Sequence, residues 1–575
     1  MSSFQSYGKV NEAEQARLQA RRKTRRRIAI ISLSSIALVA VVVATVVGVT
    51  RNNSDNEGSS KNGDGRSISG TIKAVCDETL YKNTCYDSLS NAADNSRQLQ
   101  PEDLLKLAIK VASAELSKVS KNFGQNSTVF SGITDKLTVA ALQNCGELLS
   151  LALDHLEDSL KSGASVLESF DDLKTWLSSA VTYQETCLDG LEEAQAGILS
   201  RVSAFLKNSG EMTSNSLAIV SWFSKVANSV KLRRLMSYSP VADEKVPDWL
   251  RPEDRKLLGS PDIWKNQANA VVAKDGTGKY RTISAALKAV PNKSKKRFII
   301  YVKKGVYVEN LRVEKQKWNV MMIGDGMNAT IVSGSRNFVD GTPTFSSATF
   351  AVLGQGFVAR DMGFRNTAGA IKHQAVALMS TADHSVFYRC QMDAFQDTLY
   401  AHSNRQFYGE CNIYGTVDFI FGNSAVVLQN CNIFPRQPMR GQKNTITAQG
   451  KKDPNQNTGI SIQNCTISPF GDLRGVETYL GRPWKDFSTT IFMHSAMGSL
   501  IHPNGWLPWI GTSAPSTIFY AEFQNKGPGS TTKQRVKWKG LRSISIREAG
   551  KFTVKEFLQG EKWISDAGVS YKPGL

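Results

Sequence analysis

Cysteine recurs through the C-terminal half of the chain at a nearly fixed interval, and that interval limits the fold more than any other feature. Cys390, Cys411 and Cys431 are spaced by 21 and 20 residues, and Cys465 follows after a longer gap. Their settings match: Arg-Cys-Gln-Met, Glu-Cys-Asn-Ile, Asn-Cys-Asn-Ile and Asn-Cys-Thr-Ile. Short β-type runs repeated every twenty-odd residues predict the coils of a parallel β-helix. Neighbouring strands lie about 4.8 Å apart, so equivalent positions on successive coils stack into columns.

The same period gathers polar side chains. Asp397 precedes Asp418 by 21 residues, and Gln374 precedes Gln396 by 22. Asp418 lies within the run Tyr414-Gly415-Thr416-Val417-Asp418-Phe419-Ile420-Phe421-Gly422, where a carboxylate is costly to desolvate unless it is paired. A strand-end Asp capping a turn is the plain alternative for that run alone. Stacking instead predicts one patch on three coils holding Gln374, Gln396, Asp397 and Asp418. Two carboxylates about 5 Å apart form an acid/nucleophile pair, with mutual repulsion keeping one protonated.

Such a pair also suits a retaining glycosidase, so a polysaccharide-cleaving hydrolase or lyase is the rival. The glutamines separate the two, because amide donors suit an acyl oxyanion better than an oxocarbenium ion. No acidic cluster of the kind a calcium-dependent lyase needs is visible. The six histidines show no His-x-x-x-His spacing, and no Gly-x-Ser-x-Gly elbow occurs. Metal hydrolysis and Ser-His-Asp chemistry have little support, and no metal or cofactor is expected.

Length suggests two to four domains, and composition divides the 575 residues accordingly. Residues 1–27 are polar and basic, ending in Arg21-Arg22-Lys23-Thr24-Arg25-Arg26-Arg27. Residues 28–50 carry no charge, long enough to span a bilayer and too long for a signal-peptide core. The arginines would remain cytoplasmic, so this reads as a signal-anchor that delivers the rest to the secretory pathway. Residues 51–66 form a polar linker. Residues 67–222 predict an all-α antiparallel helical bundle. Leu104, Leu107, Val111 and Ala114 form one apolar stripe, and Val166, Phe170, Leu173, Leu177 and Val181 another. In an exported chain Cys76, Cys85, Cys145 and Cys187 should be oxidised; three connectivities are open, with the close pair and the distant pair preferred. Residues 223–258 read as a linker with two basic tetrads, Arg233-Arg234-Leu235-Met236 and Arg255-Lys256-Leu257-Leu258, suited to proteolysis in exposed chain.

The helical region with this cysteine layout resembles the inhibitor-like pro-region of plant pectin methylesterases. That resemblance implies a four-helix bundle paired Cys76–Cys85 and Cys145–Cys187. Residues 259–575 resemble plant pectin methylesterases through five motifs in order: Gly305-x-Tyr307-x-Glu309, Gln374–Leu378, Gln396–Leu399, Gly415–Gly422 and Leu480-Gly481-Arg482-Pro483-Trp484. The family fold is a right-handed parallel β-helix, in agreement with the cysteine period. Its chemistry implies Asp418 as nucleophile, Asp397 as general acid and then base, Gln374 and Gln396 as oxyanion donors, and Arg482 as the partner of Asp418. Thr344, Gln374, Arg482 and Trp484 would contact substrate, with Tyr400, Phe421 and Trp506 as further candidates for sugar stacking. The family also implies a Cys411–Cys431 bridge and cleavage of both basic tetrads by a subtilisin-like protease. Partners implied are methyl-esterified pectin, the chain's own pro-region and separate proteinaceous inhibitors, with the cell wall as destination.

Charge points the same way. Residues 67–222 carry 12 Lys+Arg against 20 Asp+Glu, net −8, while residues 259–575 carry 39 against 21, net +18. Export argues against nucleic acid and for an anionic wall polymer, and the opposite signs suggest that the two parts dock. Sequons stand at Asn52, Asn126, Asn292, Asn328 and Asn464. A chain acting mainly as an inhibitor, with an inactive enzyme attached, is the alternative that the intact motif set opposes.

Overall fold

Each coil of the C-terminal part contributes short, mostly apolar strands to three parallel sheets, of eleven, eight and seven strands. This computed structural model describes residues 68–93, 101–123, 132–162, 166–235 and 261–575. The basic tail, the apolar segment 28–50, the linker 51–66 and the tetrad at Arg255-Lys256 lie outside the described residues. Among the described residues no helix is long and apolar enough to cross a membrane.

The cysteine period is the coil period. Register pairs Gln391 with Asn412, Asn412 with Asn432 and Asn432 with Thr466, one residue after each cysteine. Cys390, Cys411, Cys431 and Cys465 thus form a buried column. All four are free thiols, which corrects the expected Cys411–Cys431 bridge. In-register Cβ atoms on adjacent parallel strands point the same way and sit about 4.8 Å apart, whereas a disulfide needs roughly 3.8 Å. The Cys411 thiol instead donates to the carbonyl oxygens of Phe387 and Gly409, both at 3.3 Å. Aromatic side chains fill the remaining interior: Phe350, Phe357, Phe364 and Phe387 pack in sequence, and Phe387 stacks on Tyr408 at 4.8 Å.

The N-terminal part is helical: α1 (Ile68–Cys76), α2 (Lys82–Ala92), α3 (Pro101–Ser120), α4 (Lys136–Lys161), α5 (Val166–Asp189) and α6 (Ile198–Leu235). Disulfides join Cys76 to Cys85 and Cys145 to Cys187, the second tying α4 to α5. Asp135 caps α4 by accepting from the Thr138 backbone N–H at 2.8 Å. The buried face of α3 is Leu105, Ala108, Ile109, Ala112, Leu116 and Val119, joined by Leu104. It is rotated from the predicted stripe, and Ala114 is exposed. Helix α6 runs on to Leu235, past the expected linker start at 223, because no Gly or Pro interrupts Ser221–Leu235. Arg233 and Arg234 therefore lie in its last turn.

The helical region rests on the face of the seven-stranded sheet. Ala351, Met379, Tyr400, Phe421 and Ala448 from that sheet share one apolar cluster with helix residues such as Leu148 and Leu177.

Candidate active site

The stacking predicted from the period is realised. Leu399 pairs with Ile420 in register, so Asp397 and Asp418 occupy equivalent places two residues earlier on adjacent coils. Both have left-handed backbones, with φ of 62° and 50°, a conformation uncommon for side-chain-bearing residues and concentrated at functional positions. Gln374 and Gln396 are bridged directly, one coil to the next.

Arg482 follows the strand Thr478–Gly481 and grips Asp418 with a planar fork. Its Nε lies 2.9 and 3.1 Å from the two carboxylate oxygens, and its Nη2 lies 2.6 Å from Oδ2. Such bidentate charge-assisted contacts fix orientation as well as charge. The Thr445 hydroxyl donates to Asp418 Oδ1 at 2.6 Å and accepts from the Asp418 backbone N–H at 2.8 Å. Asp397 is in the opposite condition. Burial, reinforced by the neighbouring Asp418 charge and only partly offset by Arg482, holds its carboxyl well above the usual carboxylate range. One carboxylate is thus paired and oriented, and its neighbour is kept protonated.

These groups open into a cavity of about 260 Å³. Gln374, Gln396, Asp397, Asp418 and Arg482 all line it, as do Thr344, Trp484, Tyr400 and Phe421. Tyr400 stacks on Phe421 at 4.1 Å. Trp506 does not belong there. It is 1% exposed in the β-helix core, 4.4 Å from the Tyr520 ring. Trp509, three residues on, lines the cavity alongside Trp484, with the Arg482 guanidinium 4.3 Å above its ring. Thr445 and Trp509 are among the residues that sequence reasoning missed, as are Phe338 and Phe345 of the cavity lining. The second Trp of Trp506-Leu507-Pro508-Trp509 was a visible signal, whereas Thr445 had none.

The far wall of the cavity is the helical region, through Asn144 and Leu148 of α4 and Thr186 and Asp189 of α5. Among the described residues, the ion pairs across the contact join a β-helix cation to a helical acid. Lys315 meets Asp154 at 2.6 Å, Arg405 meets Asp172 at 2.7 Å, and Arg312 meets Glu147. Lys485 meets Glu185 at 3.0 Å and Asp189 at 2.5 Å. Between these pairs lies a polar stripe on α5: Thr175, Ser178, Ser179, Thr182, Tyr183 and Thr186. The spacing places them on one helical face. Ser179 donates to Asn404 at 2.9 Å, Thr182 accepts from Asn423 at 2.9 Å, and Thr186 bonds the His402 ring at 2.8 Å. Burial pushes His402 down to about 3, so its ring is neutral.

The Pectinesterase family model matches residues 269–561, and that for Plant invertase/pectin methylesterase inhibitor matches residues 70–219. The chain is 57% identical over 570 residues to Probable pectinesterase/pectinesterase inhibitor 46 of Arabidopsis thaliana, covering 98% of this chain and 99% of that one. It is 49% identical over 596 residues to Pectinesterase 3 of Phaseolus vulgaris, with both chains fully covered at 100%. The solved pectin methylesterase from carrot superposes with a TM-score of 0.53 at 52% identity, spanning 54% of this chain and 98% of the carrot chain. That share is about the size of the β-helix, and nearly all of the carrot chain falls within the match. The chain belongs to the pectinesterase family and carries, ahead of its pectinesterase domain, a region of the plant invertase/pectin methylesterase inhibitor family.

Proposed function

We propose that the β-helix hydrolyses methyl esters of homogalacturonan to pectate and methanol, and that the helical region keeps it inactive until removed. The observation that carries this reading is the pairing of unlike carboxyl groups: Asp418 gripped by Arg482, and on the adjacent coil a buried Asp397 whose surroundings favour its protonated form. Asp418 attacks the ester carbonyl carbon, and the oxyanion accepts hydrogen bonds from the Gln374 and Gln396 amides. Each such donor contributes about 3–4 kcal/mol in comparable sites. Asp397 gives its proton to the departing methanol, leaving an acyl-enzyme anhydride on Asp418. Asp397, now ionised, takes a proton from water as it attacks the anhydride, which restores both carboxyl groups and releases the acid. Right-handed coiling and an antiparallel four-helix arrangement of α3–α6 belong to the same reading.

The test is methanol release from methyl-esterified pectin by residues 259–575 made alone; none at any pH would overturn the assignment. The proton on Asp397 fixes the direction of the alkaline limb. Acylation uses the protonated form, so activity should persist above the ordinary carboxylate range and fall as pH rises through the raised pKa of Asp397. In Asp397→Asn that limb should vanish along with most of the rate, roughly 10²–10⁴-fold.

Residues 28–50 would anchor a precursor in the secretory pathway, with the mature enzyme reaching the cell wall. A subtilisin-like protease would cut after Arg255-Lys256-Leu257-Leu258 in preference to the Arg233 tetrad, whose first three residues are helical. N-terminal sequencing of secreted enzyme should then find a start near 259, and a start near Arg51 would exclude this. Asn292 and Asn328 are exposed and available for glycans. Asn464 donates its amide to Asn430 at 2.6 Å within a stacked pair, which makes it a poor acceptor.

A further inference from the structure

Lys485 is a cation at the rim of the cleft whose two carboxylate partners both come from the helical region. It directly follows Trp484, which lines the cavity with Asp397, Asp418 and the helical Asp189. Its ammonium sits 5.5 Å from the Trp484 ring centroid, with 13% of the side chain exposed. Among the ion pairs of the described residues, none gives it a carboxylate from the β-helix. The other cations at the contact differ. Arg312 and Arg405 keep Glu314 and Asp383 as partners within the β-helix, and neither Lys315 nor its chain neighbours line the cavity, whereas Trp484 does.

When the helices leave, Lys485 is therefore an unpaired ammonium beside an aromatic platform and the reacting centre. The ionised group that homogalacturonan offers is the free uronate carboxyl, whereas a methyl ester has no charge to satisfy it. We infer that Lys485 is a carboxylate-binding position of the substrate cleft, holding an already hydrolysed galacturonate that flanks the ester under attack, and that Asp189 and Glu185 occupy this position while the enzyme is covered. The inference rests on the esterase reading above and assigns a preference to it. A single ammonium reads the presence or absence of the methyl group on a neighbouring sugar, so each turnover creates a better binding partner for the next.

The β-helix alone, residues 259–575, carrying Asp418→Asn so that esters persist, would be titrated with galacturonate hexamers. One hexamer is unesterified, the other fully methyl-esterified, and binding is followed by tryptophan fluorescence. Adding Lys485→Gln should weaken the unesterified hexamer about tenfold and the esterified one less than about twofold, as expected for loss of one charged hydrogen-bonding partner. Lys485→Arg should restore most of the difference, and Lys485→Met supplies a second neutral variant that keeps the aliphatic stem. An unchanged affinity for the unesterified hexamer, or equal losses for both, overturns the inference. Methanol release by the unaltered β-helix separates the two ideas: its absence would sink the esterase reading, while the binding ratio would still decide the role of Lys485.

Discussion

Asp418→Asn is expected to abolish methanol release, by roughly 10⁴-fold or more, as removal of a covalent nucleophile does elsewhere. The fold should be unaffected, since the amide oxygen can still accept from Arg482 and from the Thr445 hydroxyl, now at 2.9 and 2.6 Å. What is lost is the second carboxylate oxygen and its charge, and with them the acyl anhydride. Thermal melting beside the methanol assay makes the result decisive. A variant that melts as the parent does and retains near-native turnover would move the nucleophile elsewhere, with Asp397 the first alternative. The change should also bear on Asp397, because the Asp418 charge helps to hold that carboxyl protonated.

The second large effect is expected from the helices. A full-length chain should turn over at least about a hundredfold more slowly than residues 259–575 alone, since a tethered partner acts at an effective concentration near millimolar. Even a micromolar intrinsic affinity would then keep the cleft covered. The contact has an apolar centre, a polar stripe and a rim of ion pairs, the anatomy of a specific interface. High salt should weaken the restraint only in part, because the rim pairs are screened while the centre is not. Replacing Glu185 and Asp189 together by Gln and Asn should raise full-length activity by removing both partners of Lys485. Equal activity of full-length and separated enzyme would leave the helices a role in folding or targeting.

Much of this was legible in the sequence because a β-helix writes its geometry as a period. Cysteines 20 and 21 residues apart, and aspartates 21 apart, spell out the coil length. The polar stripe of α5 was not legible. Thr175, Ser178, Ser179, Thr182 and Thr186 look like a solvent-facing side, yet they are buried because their partners lie more than 200 residues away. Trp506 and Trp509 are three residues apart and chemically identical, so only packing could send one to the core and the other to the cavity. The thiol column shows a related limit: spacing placed the cysteines together, but the parallel direction of their Cβ atoms decided against a bond.

The order of the two parts along the chain has a consequence for biosynthesis. Both disulfides lie in the helical part and close short loops, with partners 9 and 42 positions apart in sequence. The first β-helix thiol, Cys390, is made about 200 residues after Cys187, and domains generally fold N-terminal first during synthesis. The oxidisable pairs can thus be consumed before the column of thiols emerges, which keeps mixed disulfides between the two parts from forming. The helices are also already folded when the last coils wind, and can serve as a mould for the cleft. On the proposed reading the enzyme would then never be made with its carboxyl pair uncovered, and activity would begin with removal of the helices rather than end with a capture.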